Sequence, residues 1–200
     1  MEAWNYANLW ESVAAATPDR PALIHGERVI NWRDFDRRAN ALAAHMAGAG
    51  LTRQSKVAAY LYNGPEYLET YFAAFKAGLA PFNTNYRYGD DELIYLFDNA
   101  DAEAVVFNAA FAEMAGKVRG RLPKVKTWIC VAEAGQPVPD WAADYEAVTA
   151  PGADRFEAAW GRSADDLLLM YTGGTTGMPK GVMWRQEDLF KALGLSLIHI

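Results

Sequence analysis

The 200-residue chain has one cysteine, three histidines, no long apolar run and no excess of positive charge, and each shortage closes off a class of protein. A single cysteine, Cys130, cannot form an internal disulfide, so a disulfide-stapled fold is excluded. It sits in the apolar stretch from Thr127 to Val131 as a small core residue would, with no neighbouring histidine or CxxC spacing to activate it as a nucleophile. His25, His45 and His199 are scattered, without the spacing of a metal site or a proton relay, so no metal-ligating residues are assigned. No run approaches the ~20 apolar residues of a membrane helix, and the start MEAWNYANLWESV has neither a basic nor an apolar targeting segment. A cytoplasmic address is expected. With 25 acidic against 19 basic residues the net charge is -6, which offers no bulk attraction to nucleic acid or anionic membranes.

What the chain does have is core-forming material, 52% hydrophobic residues against 22% charged, arranged in alternating helical and strand periods. Helices are expected over Asn5 to Ala16, with Leu9 and Val13 on one face, and over Arg33 to Ala47, with Phe35, Ala39, Leu42 and Met46 at spacings of four, three and four. A third starts at Asn63-Gly64-Pro65 and turns Leu68, Phe72 and Phe75 inward, and a fourth runs from Asp90 to Asn99 around Leu93, Leu96 and Phe97. Ala110 to Arg119 and Glu187 to Leu193 read as helices too, and a short one is expected near Trp141 to Val148. Strands are expected at Lys56 to Tyr62, Leu79 to Phe82, Ala104 to Phe107, Val125 to Val131 and Leu167 to Tyr171, after a small hairpin of Ala22 to Ile24 and Arg28 to Asn31. Strands separated by helices imply an α/β fold of βαβ units, a mainly parallel sheet with helices on both faces. Ala132 to Ser163, rich in proline and glycine, reads as a surface connection.

The chemistry concentrates in YTGGTTGMPKG, Tyr171 to Gly181, which follows the apolar strand Leu167 to Met170. Gly173, Gly174 and Gly177 let backbone N–H groups approach an anion closely; Thr172, Thr175 and Thr176 add hydroxyls, and Lys180 adds a point charge. The segment reads as a phosphate-binding loop. It is not a Walker A loop, because Met178, Pro179, Lys180 and Gly181 follow Gly177 where lysine and a magnesium-holding hydroxyl should stand. Nor does any register supply the G-x-G-x-x-G of a dinucleotide site.

The loop resembles the phosphate signature of the adenylate-forming (AMP-binding) enzymes, T-S-G-T-T-G-x-P-K-G, departing at Gly173 where the family usually has serine. A second block, Val57 to Phe107, is similar to the same family through Asn63, Pro65, Glu66, Lys76, Ala77, Gly78, Pro81, Asn83, Glu92 and Leu93, whose roles read as structural. Asn63 and Pro65 would start a helix, Gly78 would stop one, and Pro81 with Asn83 would shape a turn. Within the family, GGTTGMPKGVMW with Arg185, Glu187 and Asp188 most resembles bacterial fatty-acid and steroid-side-chain CoA ligases, although Gln186 stands about where members usually have histidine.

The resemblance implies a nucleotide site made by Thr172, Gly173, Gly174, Thr175, Thr176, Gly177 and Lys180, with ATP, Mg2+ and coenzyme A as co-substrates and a small carboxylic acid as substrate. It assigns no catalytic proton-transfer residue. It also implies that residues 1–194 are an incomplete N-terminal AMP-binding domain, the front part of the family's large domain. No adenine and magnesium motif, ribose aspartate, hinge or C-terminal lid domain is present in the 200 residues. Residues 195–200 are a tail of doubtful origin: SLIHI resembles translated adaptor sequence and reads equally as an apolar strand. Trp184 is placed for either a pocket or packing. Other function classes stay open at this point: an aryl-CoA ligase, a peptide-synthetase adenylation domain, a phosphotransferase, or a nucleotide-binding module without chemistry. A phosphotransferase should carry serine or threonine where Gly181 stands.

Overall fold

The computed structural model describes residues 4–133, 135–150, 155–172 and 178–196. The chain opens with α1 (Tyr6–Ala16), started by Asn5, whose side chain accepts from the Ala7 N–H at 2.9 Å. The hairpin β1 (Pro21–His25) and β2 (Arg28–Asn31) turns at Gly26, which has the positive φ (+59°) that such a tight turn needs. Asn31 then caps α2 (Trp32–Gly48) by accepting from the Asp34 N–H at 2.8 Å.

From there strands and crossovers alternate. They are β3 (Lys56–Tyr60), α3 (Pro65–Lys76), β4 (Ala80–Asn83), α4 (Asp90–Asn99), β5 (Ala102–Asn108), α5 (Ala112–Arg119) and β6 (Thr127–Val131). Next come β7 (Ala143–Asp144), α6 (Tyr145–Thr149), β8 (Leu167–Thr172), β9 (Lys180–Arg185) and α7 (Gln186–Ser196). The large sheet has the order β7-β6-β5-β3-β4-β8-β9. Every pair in it is parallel except β8 with β9. The α/β class with a mainly parallel sheet is therefore observed.

Period two divides the strands between two cores. Val57, Ala59, Ala104, Val106, Ile129 and Val131 face Phe35, Leu42, Phe72 and Phe75 of α2 and α3. Ala58, Tyr60, Val105, Phe107, Trp128 and Cys130 face Leu93, Leu96, Phe97 and Val118 of α4 and α5. Burial on both faces explains why β3, β5 and β6 read as continuous apolar runs. Burial also pushes the Cys130 thiol up to about 11, which suits a packing role.

Several expectations change. Leu68 is 39% exposed, so α3 packs through Phe72 and Phe75, and Leu9 and Val13 are half-buried while Ala7 and Ala14 form the tightest contact of α1. β3 stops at Tyr60, and Pro81 and Asn83 lie within β4 instead of shaping a turn after it. Gly64, not Asn63, stands at the N-cap of α3, with Pro65 at its first position. The expected helix at 141–148 is shorter and later as α6, preceded by the two-residue β7.

Gly78 does stop α3, with φ +63° and the Leu79 N–H reaching back to the Ala74 carbonyl at 2.8 Å. Lys76 is more than a helix ending. Its buried ammonium holds Glu11 at 2.5 Å and Asp36 at 2.8 Å, tying α1 and α2 to α3. Residues 155–163, expected to be surface connection, dock on the same place: Trp160 donates to the Ala77 carbonyl at 2.9 Å, and Arg162 to Glu11 at 2.7 Å.

A second tie joins α2, α3 and α6. Arg38 donates to Glu69 at 2.9 Å and, through both terminal nitrogens, to Glu146 at 2.9 and 2.8 Å, while Tyr145 donates to Glu69 at 2.6 Å. The Arg38 hydrogen bonds hold the Glu146 carboxyl below its free value of 4.5. A carboxylate with a lowered folded pKa contributes stability above the free value and loses it as pH falls through the folded one. Thermal denaturation below about pH 4.5 should therefore show a shallower acid loss for Glu146→Gln than for the parent; identical acid limbs would contradict this tie.

Candidate phosphate-binding site

The apolar run Leu167 to Met170 becomes a strand because it can bury alternate residues on the two sheet faces. Leu168 joins the α1–α3 core and Leu169 the α4–α5 core. The strand continues to Thr172, and Lys180 opens its antiparallel partner, with Thr172 and Lys180 as a cross-strand pair. The two flanks of the phosphate-loop string thus stand opposite each other at the carboxyl end of β8. Ligands of open α/β sheets bind at that end. Gly173, Gly174, Thr175, Thr176 and Gly177 lie outside the described residues, so the structure brings together two of the seven expected site residues.

Both flanking side chains are exposed. By the pairing they share the sheet face of Met170 with Val182 and of Leu168 with Trp184. Trp184 packs against the α1–α3 core. Of the two roles open to it, packing is the one the structure provides.

Three features fix the hairpin. At its root, Asp166 is fully buried and accepts from Arg53 at 3.0 and 3.2 Å, from Gln54 Nε2 at 3.3 Å and from the Ser163 N–H at 2.8 Å. Gln54, in the left-handed region at φ 64°, also accepts the Leu167 N–H at 3.0 Å and donates twice to the Gly78 carbonyl. The Asp166 carbonyl in turn receives the Gln186 N–H at 2.9 Å, where β9 gives way to α7.

Near the loop, Tyr171 lies across Gly181, its cross-strand partner. A Cβ at Gly181 would stand 2.8 Å from Tyr171 Cζ. The ring is pinned by its hydroxyl donating to Asn99 at 2.9 Å and by Phe82 at a centroid distance of 5.6 Å. Gly181, whose place in the string excluded a Walker A hydroxyl, is thus a packing glycine.

Gln186 is not on the pocket side. It is fully buried and its Oε1 accepts the Tyr6 N–H at 3.0 Å, linking α7 to the start of α1. The most voluminous cleft, about 640 Å³, lies between α1, α2, α3 and residues 155–162. Its charges Lys76, Arg162, Glu11 and Asp36 are paired with one another, which leaves none of them for a ligand. Among the described residues no cluster of three or more His, Cys, Asp or Glu could hold a metal ion, and no helix is long and apolar enough to cross a membrane.

A family model described as AMP-binding enzyme matches residues 10–198. The chain is 40% identical over 194 residues to the medium-chain acyl-CoA ligase Mig of Mycobacterium avium, covering 90% of this chain and 35% of that protein. It is 39% identical over 198 residues to the 3-oxocholest-4-en-26-oate–CoA ligase of Rhodococcus rhodochrous, covering 96% of this chain and 35% of that protein. The chain therefore spans about a third of the length of these relatives. Among solved structures, the anthranilate CoA ligase AuaEII in complex with anthranoyl-AMP superimposes with a TM-score of 0.86 over 96% of this chain and 37% of that one, at 22% identity, a likeness of fold.

Gly181→Ala should force the pinned Tyr171 ring aside and cost about 1–3 kcal/mol, the usual penalty of an overpacked contact. Chemical denaturation measures it, and adding Tyr171→Ala should return part of the loss through a favourable coupling. A Gly181→Ala protein as stable as the parent would contradict the packing role.

Proposed function

Because the chain belongs to the AMP-binding enzyme family, matched over residues 10–198, we propose that it is the phosphate-gripping part of an ATP-dependent acyl-CoA ligase. We read its substrate as a medium- or long-chain fatty acid or a steroid side-chain acid. The observation that carries the reading is the string from Thr172 to Lys180, held between paired strands at the carboxyl end of a parallel sheet. The kinship to ligases of medium-chain and 3-oxocholest-4-en-26-oate acids supports the substrate class over an aryl acid.

In the proposed reaction a carboxylate oxygen attacks the α-phosphorus of ATP, pyrophosphate leaves, and the thiol of coenzyme A then displaces AMP to give the thioester. Charge builds on the β- and γ-phosphates during the first step. Backbone N–H groups of Gly173, Gly174 and Gly177, the hydroxyls of Thr172, Thr175 and Thr176, and the Lys180 ammonium would stabilise that charge without moving a proton. Fixed donors do this better than water because they need no reorganisation as the charge develops. Magnesium is expected to arrive with ATP; the described residues offer it no ligand cluster, and no step is assigned to it. Adenine, ribose and coenzyme A would be held by polypeptide outside these 200 residues. A cytoplasmic location and small-molecule partners, with no nucleic acid, complete the reading.

In the full-length protein, Lys180→Ala should slow carboxylate-dependent pyrophosphate exchange by roughly 2–4 kcal/mol of barrier, as loss of a single preorganised donor does elsewhere. Lys180 is exposed, so the fold should survive the change. Unchanged exchange kinetics would remove the lysine from the mechanism.

A further inference from the structure

The two edges of the large sheet are built differently. One ends in β7, only two residues long and followed at once by α6, and brevity is a standard protection for a strand edge. The other ends in β9, six residues long and paired only with β8. Its sequence, KGVMWR, has no proline and no acid, and its cations stand only at the two ends. Val182 and Met183 project to opposite faces and are 43% and 69% exposed. A strand that is apolar on both faces is the pattern of an interior strand.

We infer that β9 is an interior strand of the full-length protein, its open edge paired with an apolar strand supplied by polypeptide outside residues 1–200. The source is argued from two observations. The relatives use only 35% of their length on the region matched here, so ample chain exists elsewhere in such a protein to supply the strand. A second copy fits poorly: antiparallel self-pairing of all six residues would set Lys180 directly opposite Arg185 at both ends, and like charges facing across a ladder are destabilising. The added strand would also fix β9 from both sides, and with it Lys180 as the first residue of that strand. This inference rests on the family assignment and the open edge, not on the ligase reading.

Residue-resolved amide hydrogen exchange on the full-length protein tests it. An interior β9 should protect every amide from Lys180 to Arg185 to within tenfold of Val105 and Val106 in β5, a strand paired on both edges. Alternate β9 amides exchanging at least a hundredfold faster than their neighbours would mark a true edge and overturn the inference. Protection appearing only as protein concentration rises would assign the edge to a second copy and overturn it as well. A complete reading frame coding for nothing outside residues 1–200 would do the same. Pyrophosphate exchange measured on the same sample reports separately on the ligase reading.

Discussion

One buried carboxylate, Asp166, holds the candidate site to the rest of the molecule. It has no exposure to water and receives four hydrogen bonds, two from Arg53, one from Gln54 and one from the Ser163 N–H. A charge taken out of water is tolerated only when its lone pairs are satisfied in this way. Gln54 extends the node to the first residue of β8 and to the turn at Gly78 that closes α3. The Asp166 carbonyl extends it to the start of α7. The strand that enters the phosphate loop, the helix that follows the hairpin and the end of α3 therefore share one polar anchor. That is the condition for holding loop donors in a fixed place, since a hairpin anchored only by its own ladder would fray.

The remaining buried charges serve the same end one layer away. Lys76 with Glu11 and Asp36, and Arg38 with Glu69 and Glu146, join helices that cover a single face of the sheet. Each sits where two or three helices meet, so each fixes mutual orientation that apolar packing alone leaves adjustable. The opposite face relies on aromatic packing, with Phe97, Phe107, Trp128 and Trp141 in edge and stacked contacts.

Much of this was legible in the sequence, and the parts that were not have physical reasons. The spacing of Phe35, Ala39, Leu42 and Met46 announced α2, and all four are buried, because one apolar stripe on a helix allows one packing. Helix α4 is found over Asp90–Asn99 as expected, with Gly89 and Glu92 hydrogen-bonded at 2.9 Å at its start. β9 escaped notice because Val182, Met183 and Trp184 are consecutive apolar residues without a period, and only their pairing with β8 reveals the strand. Leu68 misled because apolar spacing names a face but not what stands opposite it. The Asp166 node could not be read at all, since its partners Arg53 and Gln54 lie more than 100 residues away in the chain. Of the site, the loop string carried the chemistry by its composition, whereas the role of Gly181 depends on where the Tyr171 ring lies.

The claim at the centre is that a buried carboxylate seats the hairpin on which the phosphate loop stands. Equilibrium chemical denaturation of Asp166→Ala against the parent chain tests it most directly. Removing the acceptor leaves the Ser163 N–H and the Gln54 amide without a partner, with Arg53 partly compensated by water, and the predicted loss is roughly 2–4 kcal/mol. A variant within about 0.5 kcal/mol of the parent would contradict the account, since a change that small is what surface substitutions produce.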